Sequence, residues 1–331
     1  MYNDDDLDAA VKAGAISPQS VTAFRQFMSK RQGSDVDQEH FRLVTGFNDI
    51  FVVIACLLLL AGIGDLVDSW VAGIGGFVAA GASWLLALYF VLKKRMSLPA
   101  IVLLVVFVYG IFSGVETLAT MFSPSNRTIP AGIAAALAAY FHWRTFKVPI
   151  TIAAAAVSLV VGFATSLIAA FPEALLWLNV ICLVAGLGLF ALALRWDFSD
   201  RQRTSGRSDV AFWLHLVASP LIVHPIFFAT GALENDIGMA QSIAILLLYL
   251  VLALVSVIID RRAMMVSALI YVISAFASLL ADNGFVTQGA TITGAVVGLG
   301  LIALSVGWHR IRAMIVSQLP QPFQARLPAI K

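Results

Sequence analysis

Ten long apolar segments, separated by short polar links, constrain the fold of this chain more than any other feature. A helix needs about 20 mostly apolar residues to cross the membrane hydrocarbon, where it satisfies its own backbone polar groups. The chain is 60% hydrophobic and 12% charged, whereas soluble domains are roughly 25% charged. We therefore predict an all-α integral membrane bundle of about ten transmembrane helices, covered by membrane lipids. The predicted spans are approximately 47–65, 70–92, 98–120, 128–143, 149–171, 173–195, 209–231, 238–259, 263–281 and 287–308.

The distribution of Lys and Arg predicts the direction of these helices. If the N-terminus lies inside, 20 of the 21 basic residues fall in inner segments and only Arg127 falls outside. Cytoplasmic links of membrane proteins carry such an excess of basic residues. We expect a multi-pass membrane protein with both termini in the cytoplasm. The longest inner link, "RWDFSDRQRTSGRSD", is interpreted as a solvated loop, with a contact to anionic lipid or to a partner as the alternative.

The chain divides into a cytoplasmic head of residues 1–42, a membrane domain of residues 43–309 and a cytoplasmic tail of residues 310–331. The sequence of the head predicts a helical hairpin, with Gly14 as a C-cap, Ser17 as an N-cap and Pro18 at the first helical position. A hairpin this small cannot build its own core, so we expect it to pack on the membrane domain, on a protein partner or on its own copy. The tail is predicted to be amphipathic and then extended, because it contains three prolines.

The head and the first span carry a resemblance to a known family. The segment "LDAAVKAGAISPQSVTAFRQFM", followed by "FRLVTGFNDIFVVIACLLLLAGIG", resembles a bacterial family of polytopic inner-membrane proteins of unknown function. Members of that family open with a short G-x-I-S type helical head and continue through serial hairpins with basic links. The resemblance implies a class and a location but no catalytic residues.

The hairpins here recur at a spacing of roughly 50 to 60 residues, which indicates either internal duplication or the general pattern of an antiparallel bundle.

A few polar residues inside the spans are candidates for a binding site, because polar and ionisable groups are costly in lipid. Glu116 lies near the outer end of the third span, Asn179 in the sixth, His224 in the seventh and Asp282 at the end of the ninth. With a rise of about 1.5 Å per residue, all four fall in the outer third of the bilayer. We predict that they form a substrate or ion site together with Ser219.

The stretch "VASPLIVHPIF" in the seventh span contains two helix breakers, Pro220 and Pro225. Proline has no N–H, so the carbonyls one turn earlier lose their helical partners. A broken span is stable only where protein, water or side chains satisfy those carbonyls. We expect the seventh span to be kinked or unwound and to face the bundle interior. Two interpretations stay open: a packing kink, or a polar cavity of the kind found in secondary transporters.

Glycines and histidines in the spans have further possible roles. Gly294 and Gly298 form a GxxxG pattern in the tenth span, which favours close helix packing within the chain or in a homodimer. A pair formed by His142 and His215 could hold a haem iron across two spans, although nothing in their spacing indicates it. His142 and His309 each precede or follow a tryptophan, as is typical of interfacial belt residues.

The motifs exclude no single activity but favour non-enzymatic functions. The sequence has no Gly-rich phosphate loop, no HExxH pattern and no nucleophile with a supporting base, and it predicts no metal site, no cofactor and no nucleic-acid partner. The favoured hypothesis is a small-solute transporter or channel with a site at a broken seventh span. The alternative is a non-catalytic membrane scaffold or assembly partner that uses its head and its basic inner loops.

Overall fold

The structure is a computed structural model that describes residues 7, 10, 11, 13–24, 27, 47–121, 127–203, 205–232, 238–282 and 289–329, without the side chains of residues 121, 281, 282, 289 and 290. Every regular element in these residues is helical. The long helices are α1 Phe47–Trp70, α2 Ile74–Ala87 with a π-helical extension Leu88–Lys93, α3 Ser97–Leu118, α4 Thr128–Phe146, α5 Ile150–Ala170, α6 Leu178–Ser199, α7 Gly206–Ala229, α8 Met239–Ile259, α9 Ala263–Asp282 and α10 Gly289–Ser317. A four-residue helix, α11 Gln321–Gln324, follows in the tail.

The predicted all-α membrane fold is confirmed, and nine of these helices are long and apolar enough to cross a membrane. The helix outside that set is α4, the short and alanine-rich fourth span. It has 19 residues, or about 28 Å, which nearly matches a hydrocarbon thickness of about 30 Å. Polar residues in its last turns, such as His142 and Arg144, lower its hydropathy. Because α4 packs between α3 and α5, other helices cover part of its surface.

Most sequential helices pack against each other, although α7 and α8 do not, and α7 lies at the centre of the second half of the bundle. It contacts α5, α6 and α9, and 56% of its membrane-spanning stretch is buried, against 11–44% for the other eight candidates. The largest apolar cluster surrounds it and includes Leu214, Val223, Phe227 and Ile245. The first half of the bundle has its own smaller clusters, and α5 joins the two halves through its contacts with α7.

Small residues allow close helix crossings between α2 and α3 and between α4 and α5, but not around Gly294 and Gly298. A Cβ added to Gly76 would lie 2.6 Å from the carbonyl oxygen of Gly110, and one added to Gly132 would lie 3.0 Å from the Cα of Gly162. These contacts join α2 to α3 and α4 to α5. Around Gly294 and Gly298, in contrast, an added Cβ meets no described atom within 4 Å. Packing within the chain therefore does not account for the GxxxG pattern, and its role in a homodimer stays a prediction.

Four links meet at one end of the bundle, here called the basic end, and each contains one charged residue in the left-handed backbone conformation. These residues are Arg95, Lys147, Arg203 and Asp260, with φ between 53° and 59°. L-residues other than Asn and Asp rarely adopt this conformation. Consecutive members of the set are separated by 52, 56 and 57 residues, so the hairpin spacing seen in the sequence has a matching backbone feature.

The described parts of the head and the tail agree only partly with expectation. Gly14 has a positive φ of 71°, and Ser17 accepts a hydrogen bond from the Ser20 N–H at 3.0 Å, so both predicted helix caps are confirmed. The predicted amphipathic continuation is also present, because α10 runs to Ser317. The prediction of an extended tail was wrong. Its first prolines start the short helix α11, and the residues after it fold back onto the bundle, where Leu327 is buried.

Candidate functional site

Three of the five predicted site residues have local partners instead of contacting one another. Glu116 lies 3.6 Å from Arg127 in a half-exposed ion pair, and Ser219 donates a 2.6 Å hydrogen bond to the carbonyl of His215. His224 is exposed, and its Nδ1 lies 2.5 Å from the Tyr271 hydroxyl. A half-exposed ion pair such as that between Glu116 and Arg127 contributes about 0–1 kcal/mol to stability. No polar cavity that joins these side chains is found among the described residues, and their shared binding role stays a prediction.

The remaining predicted residues lie near helix ends. Asn179 is half-buried at the second position of α6. Asp282 is the last residue of α9, and its side chain lies outside the described set.

The seventh span is not unwound. Helix α7 continues from Gly206 through both Pro220 and Pro225 to Ala229. The expectation that this span faces the interior is met, because α7 is the most buried of the candidate spans. The buried face of α7 packs against apolar side chains, and of its two prolines Pro225 is buried whereas Pro220 is exposed. This geometry supports the packing interpretation.

A buried charge network occupies the basic end instead, and it starts at Asp197 in the last turn of α6. Asp197 accepts hydrogen bonds from Arg261, with Nη2 to Oδ1 at 2.5 Å, and contacts the Nε2 of His215 at 2.9 Å. Arg261 also donates to the carbonyl of Ser208 at 3.1 Å. The three charged or ionisable side chains are at most 4% exposed. They tie α6 and α7 to the link between α8 and α9.

Asp260, the residue before Arg261, holds the second part of the network. Its Oδ2 accepts a 2.8 Å hydrogen bond from Nη1 of Arg203, and its Oδ1 accepts a 2.7 Å bond from the Trp308 indole. Arg312 lies 3.7 Å from the same oxygen. Burial raises the pKa of Asp260, but the positive charges of Arg203 and Arg312 and the Trp308 hydrogen bond outweigh burial and lower the net pKa.

The tail covers this network from the side of the link. Arg312 donates to the carbonyls of Pro328 at 2.7 Å and Ala329 at 3.1 Å. Arg201 donates to the carbonyl of Leu327 at 2.9 Å, and the Ala329 N–H donates back to the Arg201 carbonyl at 3.1 Å. These bonds satisfy carbonyls that the helices leave free, so the tail is part of the packed structure.

The buried network contradicts the interpretation of the link "RWDFSDRQRTSGRSD" as a solvated loop. In that link Asp197, Asp200, Arg203 and Ser208 are all buried, because ion pairs and backbone bonds replace their hydration. One sequence signal could have indicated this. Acidic residues lie among the basic ones in the links at the basic end, whereas the positive-inside rule considers only Lys and Arg. An acid such as Asp260, directly before two arginines, is a candidate for an internal ion pair.

The two histidines proposed as a haem pair lie in separate environments. His142 is fully buried and packs against the rings of Trp84, Phe107 and Phe146. The interpretation of His142 as an interfacial residue was therefore wrong, because other helices enclose it. His215 packs against Phe190 and contacts Asp197 through Nε2.

The network is suited to holding helices together rather than to catalysis. Both oxygens of Asp197 and both oxygens of Asp260 are engaged by donors or cations within the protein. Breaking a buried ion pair by removing one partner costs about 3–5 kcal/mol, because the other charge stays buried. The arrangement therefore acts as a lock between helices α6, α7 and α10, the link between α8 and α9, and the tail.

No protein-family model matches the chain, and no curated protein or solved structure matches it significantly.

Proposed function

We propose that the protein is a multi-pass scaffold of the bacterial cytoplasmic membrane, with both termini in the cytoplasm, whose basic end binds an acidic segment of a partner protein. The hydrophobic helices support the membrane location, and the placement of Lys and Arg supports the orientation. Residues 1–42 would add a second contact to the same partner. The scaffold hypothesis is preferred to transport because Glu116, Ser219 and His224 have local partners and α7 continues as a helix through both prolines.

The observation that carries this proposal is the one-sided use of charge at the basic end. The described acidic residues there are buried or half-buried, namely Asp49, Asp197, Asp200, Asp209 and Asp260. The exposed charged residues that the structure describes there are all basic, namely Lys93, Lys94, Arg95, Arg144, Lys147, Arg195, Arg201, Arg207, Arg310 and Arg326. Internal pairing of the acids leaves an outward surface that attracts acidic partners and repels basic ones.

Site-specific photo-crosslinking in cells tests the scaffold proposal. A photoreactive residue replaces the exposed Gln202 at the basic end in one variant, and in another it replaces Trp177, which is 63% exposed and precedes α6. We expect a protein adduct from position 202 whose crosslinked peptide is acidic. The triple variant Arg195→Glu, Arg207→Glu and Arg310→Glu should lose this adduct, whereas the three Arg→Lys changes should keep it.

Three outcomes contradict the scaffold proposal: the same adduct from position 177, an adduct that persists in the charge-reversed variant, or adducts to lipid alone. Each variant is checked by its thermal unfolding, so that loss of the adduct is not confused with loss of the fold.

A second candidate function, solute transport, is favoured by one observation: the network has the form of a closed gate. Ionisable groups buried at the end of a bundle are often found in proton and ion pathways. A transporter must open this end, and Ala211, which is fully buried on α7 between Ser208 and His215, would then be reached from the cytoplasm. In a background without Cys56 and Cys182, Ala211→Cys would be labelled by an impermeant thiol reagent during transport. The scaffold predicts protection of this cysteine, with Gln202→Cys labelled in both cases.

A further inference from the structure

Two cavities lie end to end along the seam between the two halves of the bundle. The first, of about 190 Å³, opens at the basic end and is lined by Arg95, Lys147 and Trp213 together with backbone and apolar groups of the links. The second, of about 400 Å³, is almost entirely apolar and is lined by α3, α5 and α7. Ile150 lines both cavities, so they lie next to each other. The result is an apolar groove with two cations at its mouth.

The depth of the groove matches one leaflet of a bilayer. On α3 its lining runs from Ser97 at the mouth to Phe112 at the far end. Fifteen residues of helix correspond to about 22 Å, and half of a bilayer with its headgroup regions is about 20–22 Å. Trp213 at the mouth is a residue type enriched at the membrane interface. The mouth therefore lies at headgroup level and the groove beside the acyl chains.

The two cations at the mouth have no acidic partner among the described residues. Lys147 lies over the ring of Trp143, with its Nζ 4.5 Å from the centroid, and both Lys147 and Arg95 are exposed. Their counterparts in the other two links, Arg203 and Asp260, pair with each other. All four adopt the left-handed backbone conformation, which costs about 1–2 kcal/mol for most L-residues. Two of the four side chains are thus used inside the protein, and two are left to bind a ligand from outside.

We propose that this seam binds one anionic glycerophospholipid, with its phosphate between Arg95 and Lys147 and one acyl chain in the apolar groove. Basic pockets between transmembrane helices on the cytoplasmic side bind anionic headgroups. The groove accounts for the choice of a lipid over a soluble phosphate ester, because such an ester would leave about 400 Å³ of apolar cavity unfilled. The bound lipid would fill the seam between the halves that α5 and α7 join.

Native mass spectrometry of the full-length protein tests the site, with phosphatidylglycerol and phosphatidylcholine of identical acyl chains as the probes. We expect one phosphatidylglycerol to be retained about 25-fold more strongly than phosphatidylcholine, since each of the two cations contributes roughly fivefold. The double variant Arg95→Asn and Lys147→Asn should lose most of this preference. Asparagine tolerates the left-handed conformation, so the links keep their shape.

Two matched controls separate the headgroup contact from general charge and from general apolar binding. Lys93→Gln with Lys94→Gln removes the same charge from a neighbouring part of the link, and it should leave the preference unchanged. Val105→Trp fills the groove from α3 and should reduce retention of both lipids. Val184→Trp, at a residue that is 64% exposed on α6, should reduce neither.

Three results would overturn the lipid site. Equal retention of the two lipids by the wild type would show annular lipid only. An equal loss in the Arg95/Lys147 and Lys93/Lys94 variants would show a general charge effect. If glycerol 3-phosphate binds the wild type as tightly as the lipid and Val105→Trp has no effect, the ligand is a soluble phosphate ester.

Discussion

The two halves of the bundle use the same link geometry in opposite ways. In the second half the left-handed residues, Arg203 and Asp260, point into the protein and pair at 2.8 Å under the tail. In the first half the equivalent residues, Arg95 and Lys147, are exposed at the mouth of a cavity. A basic link is therefore not one kind of structure. The same charge can lock helices together or remain available to a ligand, and the outcome depends on whether an acid is present nearby.

Among the substitutions that test this difference between the two halves, we expect Asp197→Asn to have the largest effect on stability. This change leaves Arg261 buried with a neutral partner, and we expect the free energy of unfolding to fall by about 3–5 kcal/mol. Thermal or denaturant unfolding in a fixed detergent measures the change. Glu116→Gln is the matched control, because it neutralises a carboxylate in a half-exposed ion pair and should cost at most about 1 kcal/mol. Equal losses in the two variants would show that the network contributes no special stability.

An intermediate effect is expected from the titration of Asp260. Its pKa is lowered in the folded protein, so its contribution to stability is fully present above the unfolded value of about 3.9 and is lost as the pH falls through the folded pKa. Stability should therefore decline below about pH 4, and the Asp260→Asn variant should show a shallower decline. Unfolding curves recorded between pH 7 and pH 3 compare the two proteins. A parallel decline in both would assign the acid sensitivity to other groups.

The smallest effect on stability is expected in the first half. Arg95→Asn and Lys147→Asn remove exposed charges, so the free energy of unfolding in detergent should change by less than about 0.5 kcal/mol for each substitution. Addition of phosphatidylglycerol should raise the unfolding temperature of the wild type more than that of the double variant, because a ligand that binds only the folded state stabilises it. A loss of several kcal/mol without lipid would show that these cations are structural like those of the second half.

The positions of the helices could be predicted from the sequence because the hydrophobic pattern that indicates each helix is local. Apolar segments of about 20 residues determine a membrane helix independently of its neighbours, and the ends of α7, α8 and α9 lie within a few residues of the predicted spans. The charge network could not be derived in the same way. Asp197 and Arg261 are separated by 64 residues, and their pairing depends on which helices become neighbours.

The predicted binding site shows the opposite limitation. Glu116 and His224 were grouped because they share a depth in the bilayer, but depth does not specify which helix faces are adjacent. Helices α3 and α7 both pack against α5. The prolines of α7 were interpreted as breaks because a single span was considered alone. In the bundle, α7 is enclosed on several sides by apolar side chains, and it remains a continuous helix.

The folded tail sets an order in which the basic end is completed during synthesis. Arg201 binds the carbonyl of Leu327, which is 126 residues later in the chain, and Arg312 binds Pro328 and Ala329. During synthesis, Arg201 and Arg312 therefore leave the ribosome before the carbonyls to which they donate hydrogen bonds. Until residues 327–329 appear, the side of the network that the tail covers stays open to water, whereas the Asp197–Arg261 pair and the apolar packing between α6 and α7 do not depend on the tail.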